Sequence, residues 1–138
     1  MKKITVAVCV DDEGGMLFYG KRQSRDRHLI SELIEWADGR SIYISPFSKA
    51  LFPDEGTAVI AADPITECTD GGICFIENLD ILPYIDSVGE LVIYRWNRLY
   101  PSDKKLDINP ISQGFVLKET TDFVGSSHEK ITKEVYRK

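Results

Sequence analysis

Apolar residues near the start of the chain form a near-continuous run that is typical of a buried strand. The stretch ITVAVCV, Ile4–Val10, is rich in β-branched residues, as are strands covered on both faces in a parallel sheet. In SRDRHLISELIEWADG, residues 24–39, apolar residues recur every three or four positions and predict an amphipathic helix. Ser24 is its expected N-cap and Gly39 its C-terminal stop. The predicted buried face consists of Leu29, Ile30, Leu33, Trp36 and Ala37.

Further short apolar runs, separated by turn residues, predict the rest of a sheet. Strands are expected at Ser41–Ser45, Thr57–Ala62, Ile73–Ile76 and Glu90–Tyr94, then over residues 105–109, 114–123 and 128–137. A short helix is expected over residues 78–89, with Pro83 in its first turn. Alternation of strand and helix favours parallel pairing, whereas consecutive strands favour antiparallel pairing. We therefore predict one α/β domain, residues 1–138, with a mixed, mostly parallel sheet of about eight strands and a C-terminal antiparallel hairpin.

Composition and charge narrow the function classes. The chain has 138 residues and a net charge of −5, which argues against binding to a nucleic-acid backbone because that requires a basic face. No apolar run approaches the roughly 20 residues that span a bilayer, so no membrane association is expected. The N-terminal segment MKKITVAVCVDDEGG has too short an apolar run for a signal peptide, since Asp11 and Asp12 interrupt it. We expect a cytoplasmic protein.

Cysteine and histidine contents do not favour a disulfide framework or a metal site. The three cysteines, Cys9, Cys68 and Cys74, form no CxxC pair, and two of them lie in apolar runs where cysteine acts as a small hydrophobe. His28 and His128 are the only histidines, so a zinc site would need an unusual set of ligands. No metal site is expected.

The order of the predicted elements, taken with particular motifs, resembles dihydrofolate reductase. ITVAVCVDDEGGM is similar to the family's first strand and the start of its mobile substrate loop. SRDRHLISELIEWADGRSIYIS resembles the first helix and the strand after it, and ELVIYRWNRLYP resembles a strand that ends in the family's Gly-Gly turn. FVGSSHEKITKEVYRK resembles the closing hairpin. The resemblance implies a three-layer dihydrofolate reductase-like fold over the whole chain.

This resemblance also implies a binding cleft between the first strand, the first helix and the loop that joins them. Asp26 matches the carboxylate that binds the pteridine ring and assists its protonation in the family, and is therefore the candidate catalytic residue. The same acid could simply be a first-turn charge that caps the helix. The ligand-binding residues implied with it are Val6, Ala7, Gly15, Met16 and Ile30.

Two departures from the family concern the cofactor. The family's Gly-Gly turn lets backbone approach the cofactor phosphates, but Tyr94, Arg95, Trp96 and Asn97 stand in the matching place. The family's phosphate-gripping Gly-Arg-Thr is replaced by Ser45–Phe47, which supplies no cation. No cofactor is therefore expected, although NADPH in an altered binding mode stays open. Arg95 and Trp96 either bind a different ligand or close the site.

Two other stretches could carry chemistry. Ser126, Ser127 and His128 suggest a nucleophile, but adjacent strand residues point to opposite faces, so Ser127 and His128 are not expected to pair. KRQSRDR, residues 21–27, could form a basic mouth for an anionic ligand together with Arg95 and Arg98, or could be solvated surface.

Three functions remain open at this stage. The first is a divergent dihydrofolate reductase-fold protein that binds a small metabolite and lacks the usual NADPH site. The second is an NAD(P)H-dependent reductase of a dihydrofolate- or pteridine-like substrate. The third is a partner-binding or structural domain without a small ligand.

Overall fold

A computed structural model describes residues 2–52 and 58–138 and contains one large sheet with a small sheet beside it. The strands are β1 Ile4–Val10, β2 Gly15–Phe18, β3 Lys21–Arg22, β4 Ile42–Ile44, β5 Val59–Ile60, β6 Ile73–Ile76, β7 Val88–Arg95, β8 Lys104–Lys105, β9 Val116–Phe123 and β10 Ile131–Arg137. The α-helices are α1 Arg27–Ala37 and α2 Pro64–Glu67, and 3-10 helices cover Pro46–Leu51, Leu82–Ser87 and Ile111–Gln113.

Seven strands form the large sheet, in the order β5-β4-β6-β1-β7-β10-β9. The five strands from β5 to β7 in this order pair in parallel, and β10 runs antiparallel to both β7 and β9. The predicted mixed, mostly parallel sheet with a C-terminal antiparallel hairpin is confirmed. The small sheet, β3-β2-β8, is antiparallel and follows β1.

The two faces of the large sheet bury different residues because successive strand side chains point to opposite sides. On one face Ala7, Tyr94 and Val135 pack against α1 through Leu29 and Leu33. On the other face the buried side chains of β1, β6 and β7 pack against α2 and the segments that follow β6 and β8, including Ile65, Ile81, Ile108 and Phe115.

Some predicted boundaries are wrong. Helix α1 begins after Asp26, so Ser24 is not its N-cap. The predicted strand at residues 105–109 is a strand only at Lys105, because the next residues make turns and loop contacts. The predicted helix at residues 78–89 is a 3-10 helix, and Pro83 does lie in its first turn. Of the strand predicted at residues 57–62 only Val59–Ile60 is observed, and Thr57 lies outside the described residues.

Within the described part of the chain, no helix combines the length and apolar character needed to cross a membrane.

Candidate functional site

The carboxyl ends of β1, β6 and β7 meet the start of α1 at one edge of the large sheet, where open α/β sheets bind ligands. Asp26 is the N-cap of α1, with extended backbone, φ −152° and ψ 123°. Its Oδ1 accepts hydrogen bonds from the amides of His28 at 2.9 Å and Leu29 at 3.2 Å. The acid thus supplies an acceptor to amides that have no partner inside the helix.

The same carboxylate also holds the turn that precedes β10. Ser126 donates to Oδ1 through its amide at 2.8 Å and its hydroxyl at 3.1 Å. Ser127 donates to Oδ2 through its amide at 2.9 Å and its hydroxyl at 3.2 Å. His128 Nδ1 lies 3.0 Å from Oδ2. A Cβ at Gly125 would collide with the carboxylate, so only glycine lets the turn come this close.

Asp26 is ionised and fully engaged. Its side chain is 0% exposed, and burial alone would raise its pKa. The hydrogen bonds from Ser126, Ser127, His128 and Leu29 outweigh burial and hold the pKa well below its usual range. Seven donor atoms of the described residues lie within 3.2 Å of its two oxygens, more than their roughly four lone pairs can accept at once, so no lone pair is left for a ligand. The Ser127 hydroxyl also lies 2.8 Å from the Arg25 carbonyl oxygen, the closer of its two acceptors.

His128 is the centre of the site, and the sequence did not predict this role. While Nδ1 faces Asp26, Nε2 lies 3.0 Å from Ser24 Oγ and 3.1 Å from the Tyr100 hydroxyl. The Trp96 ring stacks on the imidazole with centroids 4.5 Å apart and planes 23° apart. The His128 side chain is only 1% exposed.

The reason given for keeping Ser127 and His128 apart, the alternation of strand side chains, is wrong, but the expectation that they form no nucleophile–base pair is not contradicted, because Nδ1 faces Asp26. Ser127 Oγ lies 3.2 Å from His128 Nδ1. The two residues belong to a turn rather than a strand, because β10 begins at Ile131, so the alternation of strand side chains does not apply. Only the order Ser-Ser-His before a strand could have indicated the site.

A second buried carboxylate, Glu77, lies at the end of β6. Arg22 binds it with Nε at 2.8 Å from Oε1 and Nη2 at 3.1 Å from Oε2. Ser48 Oγ donates to Oε2 at 2.7 Å, and the Arg22 guanidinium lies 4.6 Å from the centre of the Phe47 ring. This cluster joins β3, β6 and the 3-10 helix Pro46–Leu51.

Two of the cations expected at a common basic mouth, Arg22 and Arg95, have other partners. Arg22 is bound to Glu77, and Arg95 binds Glu134 with Nε 2.6 Å from Oε1. Arg95 lies on the sheet face opposite α1, next to Tyr136, whereas Trp96 lies on the α1 face. The structure does not bring Arg95 and Trp96 together.

The remaining predicted site residues divide into three groups. Met16, Ile30 and Trp96 line one small cavity together with Asp26. Val6 and Ala7 are fully buried core residues on opposite faces of β1. At Gly15 a Cβ would lie 2.6 Å from Gln23 Nε2, so this glycine serves the close approach of two segments.

The small cavity has a volume of about 20 Å³, which is room for one water molecule. It is lined by Ser24, Asp26, Phe75, Glu77 and Trp96 among others. Gln23 Oε1, buried in the same wall, has no hydrogen-bond partner among the described residues.

A larger cleft of about 320 Å³ adjoins the small cavity, and we call it the α1 cleft. It lies between the start of α1 and the end of the 3-10 helix Pro46–Leu51. Both spaces share Arg25, Asp26, Ile30 and Leu51. The α1 cleft is further lined by Arg27, Ser31, Ala50 and Phe52.

Among residues 2–52 and 58–138, no group of three or more His, Cys, Asp or Glu side chains is placed to hold a metal ion.

Comparison with known proteins identifies the fold. No protein-family model matches the chain, and no curated protein sequence does. Among solved structures, the chain is similar to dihydrofolate reductase from Enterococcus faecalis complexed with NADP(H) and RAB-propyl. The TM-score is 0.64 at 12% identity, and the match covers 97% of this chain and 95% of the reductase. The chain therefore has a dihydrofolate reductase-like fold, as its sequence motifs predicted.

Proposed function

We propose that this dihydrofolate reductase-fold protein binds a small, flat organic anion in the α1 cleft. The observation that carries the proposal is the pairing of Arg25 and Arg27 with an apolar wall of Ile30, Leu51 and Phe52 around one cleft. A volume of about 320 Å³ is at the lower end of small-molecule sites.

Charge favours an anionic ligand. Arg25 and Arg27 are exposed, and neither makes a salt bridge to another residue of the described ranges. Guanidinium groups bind carboxylate and phosphate through paired hydrogen bonds. The buried Asp26 carboxylate is occupied by its own hydrogen bonds, so it does not compete for these two cations.

Shape favours a planar ligand. Phe52 offers an aromatic ring at the cleft, and Ile30 and Leu51 add aliphatic surface. An aromatic acid could stack on this wall and extend its carboxylate to the arginines. Ser31 adds a hydroxyl that can donate or accept a hydrogen bond.

The nicotinamide cofactor fits these residues poorly. At the carboxyl end of β6 the Arg22 guanidinium is already paired with the buried carboxylate of Glu77 and is not free for phosphate. At the end of β7 the bulky Trp96 is buried against His128. After β4, Pro46 has no amide to donate. NADP(H) is bound in the Enterococcus reductase structure, so an NADPH-dependent reductase is the alternative that the experiment must separate.

Ligand-induced stabilisation tests the proposal. We expect folate or guanosine monophosphate, offered as probes, to raise the melting temperature and quench tryptophan fluorescence, and NADPH to do neither. At about 100 times Kd a ligand adds about 2.7 kcal/mol to the free energy of unfolding. The double variant Arg25→Gln/Arg27→Gln should lose the response.

Arg40→Gln is the matched control, because Arg40 lies at the far end of α1, over Trp36 and away from the α1 cleft. It should keep the response to the anionic probes. Stabilisation by NADPH alone, unchanged in the double variant, would favour the reductase. No response to any of the three probes would favour the partner-binding domain.

A further inference from the structure

We propose that Ser24, His128 and Asp26 form a catalytic triad that hydrolyses a carboxylic ester. Its substrate class rests on the proposed function, since the ester would be one whose anionic part occupies the α1 cleft. The triad itself rests on separate observations, namely the contacts of His128 and the position of Ser24.

The three side chains have the contacts that a nucleophile, a base and an orienting carboxylate require. Ser24 Oγ lies 3.0 Å from His128 Nε2, and His128 Nδ1 lies 3.0 Å from Asp26 Oδ2. An ionised carboxylate only accepts hydrogen bonds, so Nδ1 carries the ring proton that faces Asp26. Nε2 then presents its lone pair to Ser24 and can take the hydroxyl proton.

Three further contacts hold the imidazole in place. Trp96 stacks on one face of the ring, and the Tyr100 hydroxyl lies 3.1 Å from Nε2. Ser127 Oγ lies on the other side, 3.2 Å from Nδ1. Ser24 is therefore one of two hydroxyls at the basic nitrogen, and it is the one that lines the small cavity.

The position of Ser24 gives a substrate access to the nucleophile. Ser24 is half-buried, and its cavity shares four lining residues with the α1 cleft, namely Arg25, Asp26, Ile30 and Leu51. An ester held by Arg25 and Arg27 could place its carbonyl at Ser24. Cys9 also lines the cavity, but burial, with the nearby Glu77 and Asp26 charges, raises the pKa of its thiol and keeps it inert.

The reaction proceeds in two balanced steps. Ser24 Oγ bonds to the ester carbonyl carbon while its proton moves to His128 Nε2, and the carbon–oxygen bond to the alcohol then breaks as His128 returns the proton to the leaving alcohol. Water next attacks the acyl group on Ser24, again giving a proton to His128. The carboxylic acid leaves and the proton returns to Ser24, so that ester and water become acid and alcohol.

The backbone beside Ser24 offers a donor for the developing oxyanion. The Arg25 amide follows the nucleophile directly and makes no hydrogen bond to another described residue. In serine hydrolases the amide after the nucleophile commonly serves this purpose. Asp26 acts through His128 and is a positioning residue here, in place of the direct catalytic role expected from the sequence.

Covalent labelling tests the triad without knowledge of the natural substrate. The protein is treated with a small alkyl fluorophosphonate, and the modified peptide is identified by mass spectrometry. We expect one phosphonyl group, on Ser24, in the wild type. Ser112→Ala is the matched serine control, because Ser112 is exposed in the 3-10 helix Ile111–Gln113 and lines neither the small cavity nor the α1 cleft, and it should be labelled on Ser24 as well.

Ester turnover gives the second readout. Mono-p-nitrophenyl succinate, an ester with a free carboxylate, should be hydrolysed by the wild type. Ser24→Ala should lower the rate by about 100-fold or more at an unchanged melting temperature, because removal of a nucleophile takes away the covalent route. Ser112→Ala should retain the activity of the wild type.

Absence of the label from Ser24, or equal ester turnover by Ser24→Ala and wild type, would overturn the triad. The two proposals fail separately. Labelling at Ser24 without any stabilisation by anionic probes contradicts anion binding in the α1 cleft and leaves the triad standing. Stabilisation that depends on Arg25 and Arg27, without labelling, contradicts the triad alone.

Discussion

Asp26 and Glu77 are two buried carboxylates at one edge of the sheet, and the chain surrounds them in different ways. Asp26 lies within hydrogen-bond distance of seven donor atoms of the described residues, which belong to backbone amides, two serine hydroxyls and a histidine. Glu77 is held by the guanidinium of Arg22 and the hydroxyl of Ser48. The partners of Asp26 are largely groups fixed by the backbone, whereas Glu77 depends mainly on the long side chain of Arg22.

This difference shows how each acid serves the fold. The amides around Asp26 cannot turn away when the acid is changed, so each would be left without its partner. Arg22 is 21% exposed at its side chain and can turn toward water. We therefore expect substitution of Asp26 to lower the free energy of unfolding more than substitution of Glu77, although both carboxylates are nearly inaccessible to solvent.

The largest expected effect is that of Asp26→Asn. The amide group of asparagine would face donors on the Oδ2 side, and the helix cap and the turn before β10 would both weaken. We expect the free energy of unfolding in urea to fall by about 3 to 5 kcal/mol, as when a buried charged network loses one partner. Asp38→Asn, at the exposed C-cap of α1, is the control and should change it by less than about 0.5 kcal/mol. Equal effects at the two aspartates would contradict the role of Asp26 in joining the start of α1 to the turn before β10.

Gly125→Ala tests the close approach of the turn without removing any polar group. Its new Cβ would collide with the Asp26 carboxylate and lie 2.9 Å from Ile131 Cδ1. The turn must then move, at a cost of about 2 kcal/mol in urea unfolding. Gly89→Ala serves as comparison, because there the added Cβ would meet only Lys3 at 3.5 Å or more. If both alanines are tolerated alike, the turn does not depend on Asp26.

Glu77→Gln should have a smaller effect than either change at the Asp26 site. The variant keeps the shape of the side chain but removes the charge that Arg22 and Ser48 bind. We expect a loss of about 1.5 kcal/mol, the lower range for hydrogen bonds to charged groups. The exposed Lys104–Asp80 pair is the matched ion pair, and Asp80→Asn should change stability by less than about 0.5 kcal/mol. A loss at Glu77 as large as that at Asp26 would remove the distinction between the two sites.

Acid titration of stability is the subtlest test. The pKa of Asp26 is lowered in the folded protein, so the unfolded chain takes up a proton first, near its ordinary pKa of about 3.9. The stability contributed by Asp26 is fully present above about pH 5 and is lost as pH falls toward the folded-state pKa. The slope of unfolding free energy against pH from this one carboxyl is at most about 1.4 kcal/mol per pH unit.

Asp11 adds a contribution of the same sign. Burial would raise its pKa, but the amides of Gly15, Tyr100 and Glu13 and the Gln23 side chain lower it. Urea unfolding between pH 2 and pH 6 should show a flatter curve for Asp26→Asn than for wild type. If Asp26→Asn has the same acid slope as the wild type, the pKa of Asp26 is not lowered in the folded wild-type protein.

Much of the fold could be predicted because it depends on local patterns. The β-branched run Ile4–Val10 is a central strand, and Ile73–Ile76 has the predicted boundaries. Short strands such as Gly15–Phe18 are hard to predict because few residues form them, and β2 pairs with the two-residue strand β3 and with β8, which lies far away in the chain. The N-cap was placed two residues early because Ser24 and Asp26 have similar intrinsic preference for that position, and tertiary contacts to Ser126 and Ser127 select Asp26.

The candidate site was less predictable than the fold. Asp26, Ile30, Met16 and Trp96 were named from the resemblance and do line one cavity. The contact between His128 and Ser24 joins residues 104 positions apart, and a local sequence pattern does not predict a contact between such distant residues. Likewise, the sheet face on which Arg95 lies follows from the register of β7, which an apolar run alone does not determine.

The position of β10 bears on the order in which the chain can fold during synthesis. Residues 131–137 lie between β7 and β9, so an interior strand of the sheet is among the last described segments to leave the ribosome. Until then β7 has an open edge, and Asp26 lacks the serines and histidine that it binds. Strand pairing over such long sequence separations is slow and leaves hydrophobic edges exposed in the meantime. A nascent chain of this protein would accordingly keep the pairing edges of β7 and β9 open until β10 has been synthesised and inserted between them.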